Sequence, residues 1–152
     1  MASDKIKKYL DEAKIKYITI KHSPSYTAQE IAEITHISAK EFAKTVIVKA
    51  DDKLLMVVLP AHTRVNFEAL KKASGKKDIA LASETEFEQC FPGCELGAMP
   101  PFGNLFDMPV YVDRRLTKDE KIAFNAGTHS ELIKLDYRDF ARLVQPTIVD
   151  MQ

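Results

Sequence analysis

The order of predicted elements indicates a single α+β domain, in which a mixed, largely antiparallel β-sheet or barrel is flanked by helices. Short apolar, β-branched segments dominate the middle of the chain, and amphipathic helical segments lie towards both ends. The sequence contains no internal repeat, low-complexity run or linker, so we expect residues 1–152 to form one domain. A chain of this length buries about 70% of the surface that it exposes when unfolded, which is enough for one core.

The first half of the chain predicts two helices and three strands. Apolar residues at helical spacing predict an amphipathic helix over Ser3–Lys14, and the capping box Thr27-Ala-Gln-Glu30 opens a second helix that ends near His36. Asp51-Asp52 separates two apolar segments and indicates a hairpin, whose second strand is apolar at every position and should be covered on both faces. The predicted strands are Tyr17–Lys21, Thr45–Ala50 and Leu54–Leu59.

The second half predicts three further helices and four strands. Asn66 caps a short helix that Gly75 ends, Ser83 opens a capping box before a helix that runs to about Cys90, and Asp136 caps the closing helix. The other predicted features are the strands Ile79–Ala82, Pro109–Asp113, Lys121–Asn125 and Leu132–Leu135, and a turn capped by Thr117 between the second and third of these strands.

Composition and charge exclude several classes of function. The 22 Lys and Arg residues balance 22 Asp and Glu residues, whereas a dedicated non-specific nucleic-acid binder usually has a strong basic excess. A local excess exists, because the stretch to Lys21 holds six lysines against Asp4, Asp11 and Glu12. No window is long and apolar enough for a membrane span, and the N-terminus has no apolar signal-peptide core. We therefore expect a cytoplasmic protein that binds neither membrane nor DNA.

Metal and cofactor motifs are missing from the sequence. Cys90 and Cys94 have neither redox nor zinc spacing, and we expect both thiols to be reduced in a loop. The four histidines have no ligand spacing, so the sequence predicts no metal site. The sequence also lacks a GxSxG elbow, a Walker A loop and a GxGxxG fingerprint, so no cofactor is expected.

Lys44 is the first candidate for chemistry. It stands at the entry to a β-branched strand, and alternation places it on the same face as Val46 and Val48. An ammonium group beside a partly buried face keeps much of its field and could attract a carbonyl or phosphate oxygen. On spacing alone, a solvated lysine at a strand end explains the residue equally simply.

Two loops are the other candidates. The first is Gly97-Ala-Met-Pro-Pro-Phe-Gly103, which lies in the proline-rich and glycine-rich run from Phe91 to Pro109. Its main-chain N–H groups could point at a developing oxyanion, or the loop could be only a rigid surface turn. The segment Asn125-Ala-Gly-Thr-His-Ser130 follows a strand and carries His129, which could orient water or a substrate group. Surface loops carry such residues routinely, so the structural alternative stays open.

Five short motifs follow one another along the chain. They are His22 to Glu30 with Thr-Ala-x-Glu, Phe42-Ala-Lys-Thr45, the GxxxP run Gly97 to Pro101 followed by Phe102-Gly103, Val110-Tyr-Val-Asp113, and Asn125-Ala-Gly-Thr-His129. Each motif is short, but five in this order are fairly specific. Together they resemble the YbaK/ProX family of aminoacyl-tRNA deacylases, which is related to the editing domain of bacterial prolyl-tRNA synthetases. The similarity runs from about residue 15 to residue 145.

The resemblance implies a compact αβ fold and hydrolysis of the ester that joins a wrong amino acid to the 3′ end of tRNA. The family's functional lysine, loop glycine and loop histidine correspond to Lys44, Gly97 and His129, which we expect to be the catalytic residues. Main-chain N–H groups would polarise the ester carbonyl, and water or a substrate hydroxyl would attack it. The substrate-binding residues expected on the same basis are Tyr26, Thr27, Thr45, Ala98, Met99, Pro100, Pro101, Gly103, Gly127 and Thr128.

The leading hypothesis is a free-standing editing hydrolase that protects translation fidelity by deacylating tRNA charged with Ala, Ser, Thr or Cys. Its partners would be the 3′ end of a mischarged tRNA and an aminoacyl-tRNA synthetase. One alternative is an inactive binding or regulatory module that recognises an aminoacyl group or a tRNA end. A third hypothesis is a hydrolase of free amino-acid esters or other small acyl substrates, whose affinity for substrate would not depend on salt.

Overall fold

The computed structural model describes residues 2–22, 37–38 and 40–152. The helix predicted from Thr27 to His36 lies outside the described residues, as do the predicted substrate-binding residues Tyr26 and Thr27. The helices of the described part are α1 (Ala2–Glu12), α2 (Phe67–Ser74), α3 (Glu84–Phe87) and α4 (Tyr137–Val144). Its strands are β1 (Tyr17–Lys21), β2 (Ala43–Ala50), β3 (Lys53–Pro60), β4 (Ile79–Leu81), β5 (Val110–Asp113), β6 (Lys121–Asn125), β7 (Glu131–Asp136) and β8 (Thr147–Val149).

The strands form two sheets, and the predicted α+β class is confirmed. One sheet is three-stranded and antiparallel in the order β1-β7-β6, and the other has the order β4-β2-β3-β5-β8. In the second sheet β5 pairs in parallel with β3 and β8, so the sheet is mixed. Within the described residues both sheets are open, so the barrel alternative is wrong. The sheets meet at an isolated parallel bridge between Phe42 and Ala123.

The predicted hairpin forms the centre of the larger sheet. Ala50 pairs with Lys53, which leaves Asp51 and Asp52 as a two-residue turn, and Asp51 takes the positive φ of 54° that this turn requires. Every residue from Leu55 to Pro60 is buried, as the continuous apolar run predicts. One face of β3 packs in the main core through Met56 and Val58, and the other packs against α2 and β8 through Leu55, Val57 and Leu59.

Local capping signals account for both ends of α2 and for the start of α3. The Asn66 side chain accepts a hydrogen bond from the Ala69 N–H, and Gly75 ends α2 with φ of 73°. The Ser83 N–H donates to the Glu86 carboxylate as the capping box predicts, but α3 ends at Phe87 and a 3-10 turn continues to Cys90. The α1 helix presents Ile6 and Leu10 to the main core.

Three local predictions differ from the structure. Asp113 rather than Thr117 caps the 3-10 turn Arg114–Lys118, because its carboxylate accepts from both the N–H and the guanidinium of Arg115. Asp136 occupies the N-cap position of α4 without a capping hydrogen bond from its side chain. Strand β8 was not predicted. In the described part of the chain, no helix is long and apolar enough to cross a bilayer.

Candidate active site

The Gly97 loop and the His129 loop are joined by main-chain hydrogen bonds. The Glu95 N–H donates to the Gly127 oxygen at 2.8 Å, and the Gly127 N–H donates to the Ala98 oxygen at 2.9 Å. A third bond, from the Ala126 N–H to the Glu131 oxygen at 3.0 Å, closes the base of the second loop. Two segments that are distant in the sequence therefore form one unit, and Gly97 and His129 come together as the resemblance implies.

The His129 ring lies directly beneath Gly97. Its Nε2 is 2.8 Å from the Leu96 oxygen, and because a carbonyl only accepts, Nε2 carries the proton of this bond. In the neutral ring the lone pair therefore stands on Nδ1. A Cβ added to Gly97 would lie 3.4 Å from Cε1 of His129, and the φ of +85° at Gly97 is one that other residues rarely adopt. A side chain at this position would therefore touch the ring as well as strain the backbone.

The rest of the Gly97 loop turns inward. Residues Ala98, Met99, Pro100 and Pro101 are buried, and Pro100 lines a cavity of about 280 Å³ beside α1. Gly103 also lies in the core, where an added Cβ would meet the Met108 oxygen and the Val110 side chain at 2.5 Å. Glycine at 103 is therefore required by packing. Only Gly97 of this loop is both exposed and next to His129.

Lys44 approaches the loops from the other sheet. The Ala123 N–H donates to the Glu41 oxygen at 3.0 Å, next to the Phe42–Ala123 bridge. Lys44 lies two residues after Phe42 on β2, and Asn125 lies two residues after Ala123 on β6, just before the His129 loop. Strand alternation places both side chains on the face of the bridging pair. Lys44 therefore stands at the seam of the two sheets, on the side where the His129 loop begins.

The charge on Lys44 is not balanced by a carboxylate among the described residues. Burial of the half-exposed side chain lowers the pKa of Lys44, and the neighbouring Arg64 guanidinium lowers it further. Arg64 is exposed in the turn after β3 and was not predicted as a site residue. Among the described residues, no carboxylate forms an ion pair with Lys44 or Arg64. Two cations that have no counter-ion among the described residues are suited to an anionic or carbonyl oxygen of a ligand.

Asn125 is a second residue that the sequence did not single out for a role. It is 9% exposed, and its Oδ1 has no hydrogen-bond partner among the described residues. An unpaired buried carbonyl of this kind costs about 1–3 kcal/mol, so it usually has a reason. The available signal was a polar residue directly after the three apolar residues of the strand Lys121–Asn125.

Other predicted residues are placed less directly. Thr45 lies on the opposite face of β2 from Lys44, paired with Val58, so the structure does not bring these two side chains together. Gly127 is buried with φ of 92°, and Thr128 is half-buried beside Ser130. The His22 N–H donates to the Ser130 oxygen at 2.9 Å, which ties the end of β1 to the His129 loop.

This arrangement suits positioning and polarisation better than nucleophilic catalysis. It offers the Lys44 ammonium, the His129 imidazole and an exposed glycine main chain, but no serine or cysteine paired with a base among the residues named above. In the described part of the chain, no group of three His, Cys, Asp or Glu residues could hold a metal ion. Such a site can bind an acyl group and direct water to its carbonyl.

Comparisons with known proteins identify the family to which the chain belongs. A family model described as "Aminoacyl-tRNA editing domain" matches residues 22–143. The chain is 26% identical over 142 residues to "Prolyl-tRNA editing protein ProX" of Acetoanaerobium sticklandii, covering 90% of this chain and 86% of that protein. It is 25% identical over 138 residues to "Multifunctional Ser/Thr-tRNA deacylase ProXp-y" of Escherichia coli K12, covering 88% and 82%. The solved structure of "hypothetical protein APE2540" superposes with a TM-score of 0.86 at 24% identity, covering 96% of this chain and 97% of that chain.

Proposed function

The chain belongs to the aminoacyl-tRNA editing domain family and is an aminoacyl-tRNA hydrolase, and from this premise we propose that it acts as a free-standing enzyme on tRNA mischarged with a small amino acid. The observation that most supports the proposal is the contact between Gly97 and His129, made by two hydrogen-bonded loops. It gives a rigid position for an ester carbonyl beside an exposed main chain.

The proposed reaction needs no covalent intermediate with the protein. Water adds to the ester carbonyl, the bond to the ribose oxygen breaks, and that oxygen takes a proton, which releases the free amino acid and an uncharged tRNA. The Gly97 N–H, which donates in the structure to the weakly accepting Met99 sulfur at 3.3 Å, would turn to the oxyanion when substrate binds, and His129 would orient the reacting groups. Lys44 would hold a carbonyl or phosphate oxygen at the end of the tRNA.

We propose Ala, Ser, Thr or Cys as the class of amino acid that is removed. Support comes from the serine and threonine named for the E. coli relative. One methylene group changes selectivity by only about 1–3 kcal/mol, so several small amino acids should be accepted.

The macromolecular partner in this proposal is the 3′ end of a charged tRNA, met in the cytoplasm. The name of the A. sticklandii relative points to tRNA for proline, so prolyl-tRNA synthetase is the proposed source of the mischarged substrate. An overall charge of zero suits a protein that contacts few phosphates. The proposal also predicts modest affinity for uncharged tRNA.

A panel of tRNAs charged with Ala, Ser, Thr or Cys tests the function. Wild-type protein should release at least one amino acid well above the background rate, and Lys44→Ala should lower this rate. The exposed residue Lys72 on α2 offers the control Lys72→Ala, which should leave the rate unchanged. If no substrate is hydrolysed but charged tRNA still binds in a gel-shift assay, the binding-module alternative replaces the proposal.

A further inference from the structure

We infer that Asn125 is a substrate-binding residue whose side-chain amide oxygen accepts a hydrogen bond from the α-ammonium group of the aminoacyl substrate. This inference rests on the proposed function for the nature of its ligand. It goes further because it assigns one chemical group of the substrate to one atom of the protein.

The first step is the state of the Asn125 side chain. Its Oδ1 is buried and accepts no hydrogen bond from any residue that the structure describes. Buried carbonyl oxygens in folded proteins nearly always have a donor, supplied by protein, water or a ligand. Two neighbours on the same face, Ala123 and Leu132, are apolar, and a third, Lys134, is ion-paired with Glu41. Leu132 pairs with Asn125 across the sheet, and Leu132 and Ala123 belong to one small apolar cluster with Phe42.

The second step is the position of Asn125 relative to the site. Asn125 is the last residue of β6, and the chain from Ala126 leads directly into the loop that carries His129. On the neighbouring strand, Lys44 occupies the equivalent place two residues after the Phe42–Ala123 bridge. Asn125 therefore shares with Lys44 the face of the bridging pair and directly precedes the His129 loop, and this is the face where we place the aminoacyl ester.

The third step is chemical complementarity. Near the ester, Lys44 and Arg64 supply only hydrogen-bond donors, and so do main-chain N–H groups. The substrate carries a cationic ammonium group that needs an acceptor and would otherwise meet two like charges. A neutral amide oxygen satisfies it without forming an ion pair that would withdraw Lys44 from its own role. Asn125 Oδ1 is a buried acceptor four residues before His129 in the chain, and it has no protein donor among the described residues.

Binding of stable substrate analogues tests the inference separately from hydrolysis. The probes are two acceptor-stem minihelices, one ending in 3′-alanylamido-3′-deoxyadenosine and the other in the propionylamido analogue, which lacks only the amino group. A hydrogen bond to a charged group corresponds to about 10- to 100-fold in affinity, so wild-type protein should prefer the alanyl probe by that factor. Asn125→Ala should abolish the preference by weakening binding of the alanyl probe alone.

Two further variants make the result specific. Asn125→Asp keeps an acceptor oxygen and should retain the preference. Asn104→Ala removes an exposed amide that donates to the Tyr9 hydroxyl at 2.9 Å, and it should leave the preference unchanged. Thermal unfolding of each variant confirms that the protein tested is folded.

The outcomes separate this inference from the proposed function. Equal binding of the two probes by wild-type protein, undetectable binding of both, or equal weakening of both by Asn125→Ala would overturn the role of Asn125. Loss of the preference in Asn125→Asp would overturn it as well, because the amide would then act as a donor. If the preference holds but no aminoacyl-tRNA is hydrolysed, the ammonium contact stands and the proposed hydrolysis fails.

Discussion

Gly97 and His129 are so close that a methyl group on residue 97 would lie in van der Waals contact with the imidazole ring, 3.4 Å from Cε1. The same glycine has φ of +85°, a backbone conformation that residues with a side chain rarely adopt. Both the backbone and the nearby ring therefore favour glycine at this position. Backbone strain and contact with the ring can be separated by experiment, because Gly75 also has a positive φ but has no neighbour where a Cβ would lie.

Gly97→Ala should lower hydrolysis at least tenfold while costing about 1–2 kcal/mol of stability, the usual cost of an alanine in the left-handed region. Gly75→Ala is the matched control, since Gly75 has φ of +73° and an added Cβ there meets nothing within 4 Å. Urea unfolding should show similar losses of stability for both variants, and single-turnover deacylation should fall only for Gly97→Ala. Equal activity of the two variants would show that the close approach of residue 97 to His129 is not needed for hydrolysis.

Arg64→Gln should raise the pKa of Lys44 towards its ordinary value of 10.5, because it removes the like charge that supplements burial in lowering this pKa. An NMR titration that follows the Lys44 side chain measures the change directly. An unchanged pKa would mean that burial alone sets the value. If hydrolysis requires the protonated amine, the alkaline limb of the rate profile should move to higher pH in the variant.

Lys44→Met should be more stable than wild-type protein at pH 7, because it removes a partly desolvated charge. Because folding lowers the pKa of Lys44, the protonated lysine destabilises the native state, and this cost disappears as pH rises from the folded pKa towards 10.5. The stability advantage of the variant should therefore shrink over that pH range. Lys49→Met on the same strand is the opposite control. Glu86 raises the pKa of Lys49 by hydrogen bonding, so this variant should be less stable at neutral pH. Urea unfolding at several pH values checks both signs.

Glu86→Gln should change the response of stability to acid. The hydrogen bond from the Ser83 N–H, followed by that from Lys49, lowers the pKa of Glu86 from 4.5 to about 2. A lowered carboxyl pKa gives stability that is complete above pH 4.5 and is lost as pH falls towards 2. Wild-type protein should therefore exceed the variant in stability at pH 7 and match it near pH 2. If the difference in stability between wild-type protein and the variant stays constant from pH 7 to pH 2, the charge of Glu86 is not the cause of that difference.

Lys7→Met should destabilise the protein by about 1–3 kcal/mol, because it leaves a buried carboxylate without its cation. The Lys7 Nζ lies 2.6 Å from Glu131 Oε2, and the Glu131 side chain is 9% exposed at the start of β7. Lys8→Met is the control at the next, exposed position and should change stability by less than about 0.5 kcal/mol. The double variant Lys7→Met/Glu131→Gln should recover part of the lost stability. If it recovers none, the unpaired carboxylate of Glu131 is not the cause of the loss.

Elements with strong local signals were predictable from the sequence. The hairpin follows from two apolar segments around Asp51 and Asp52, and α2 follows from Asn66 and Gly75, because each of these signals acts within a few residues. Strand β8 escaped prediction because Thr147–Val149 is short, follows Pro146 and exposes two of its three residues. Its strand character comes from parallel pairing with the distant β5, which leaves no local pattern.

The candidate site was predictable only in part. Residue types marked Lys44, Gly97 and His129 as candidates, and the resemblance indicated that they belong together. No physical argument from the sequence could place Gly97 beside His129, because main-chain bonds between two loops make that contact. Gly103 shares the composition of the Gly97 loop, yet contacts with Met108 and Val110 govern it, and these depend on the folded core.

The seam between the two sheets also runs through the candidate site. Gly97 and His129 lie in loops that are hydrogen-bonded to each other. Lys44 belongs to the other sheet, which is joined to the first by the Phe42–Ala123 bridge and by the ion pair of Glu41 with Lys134 at 3.1 Å. The position of the Lys44 amine relative to the His129 ring therefore depends on contacts between the sheets, and a substitution at Phe42 would act on that position without removing a hydrogen bond between the two loops.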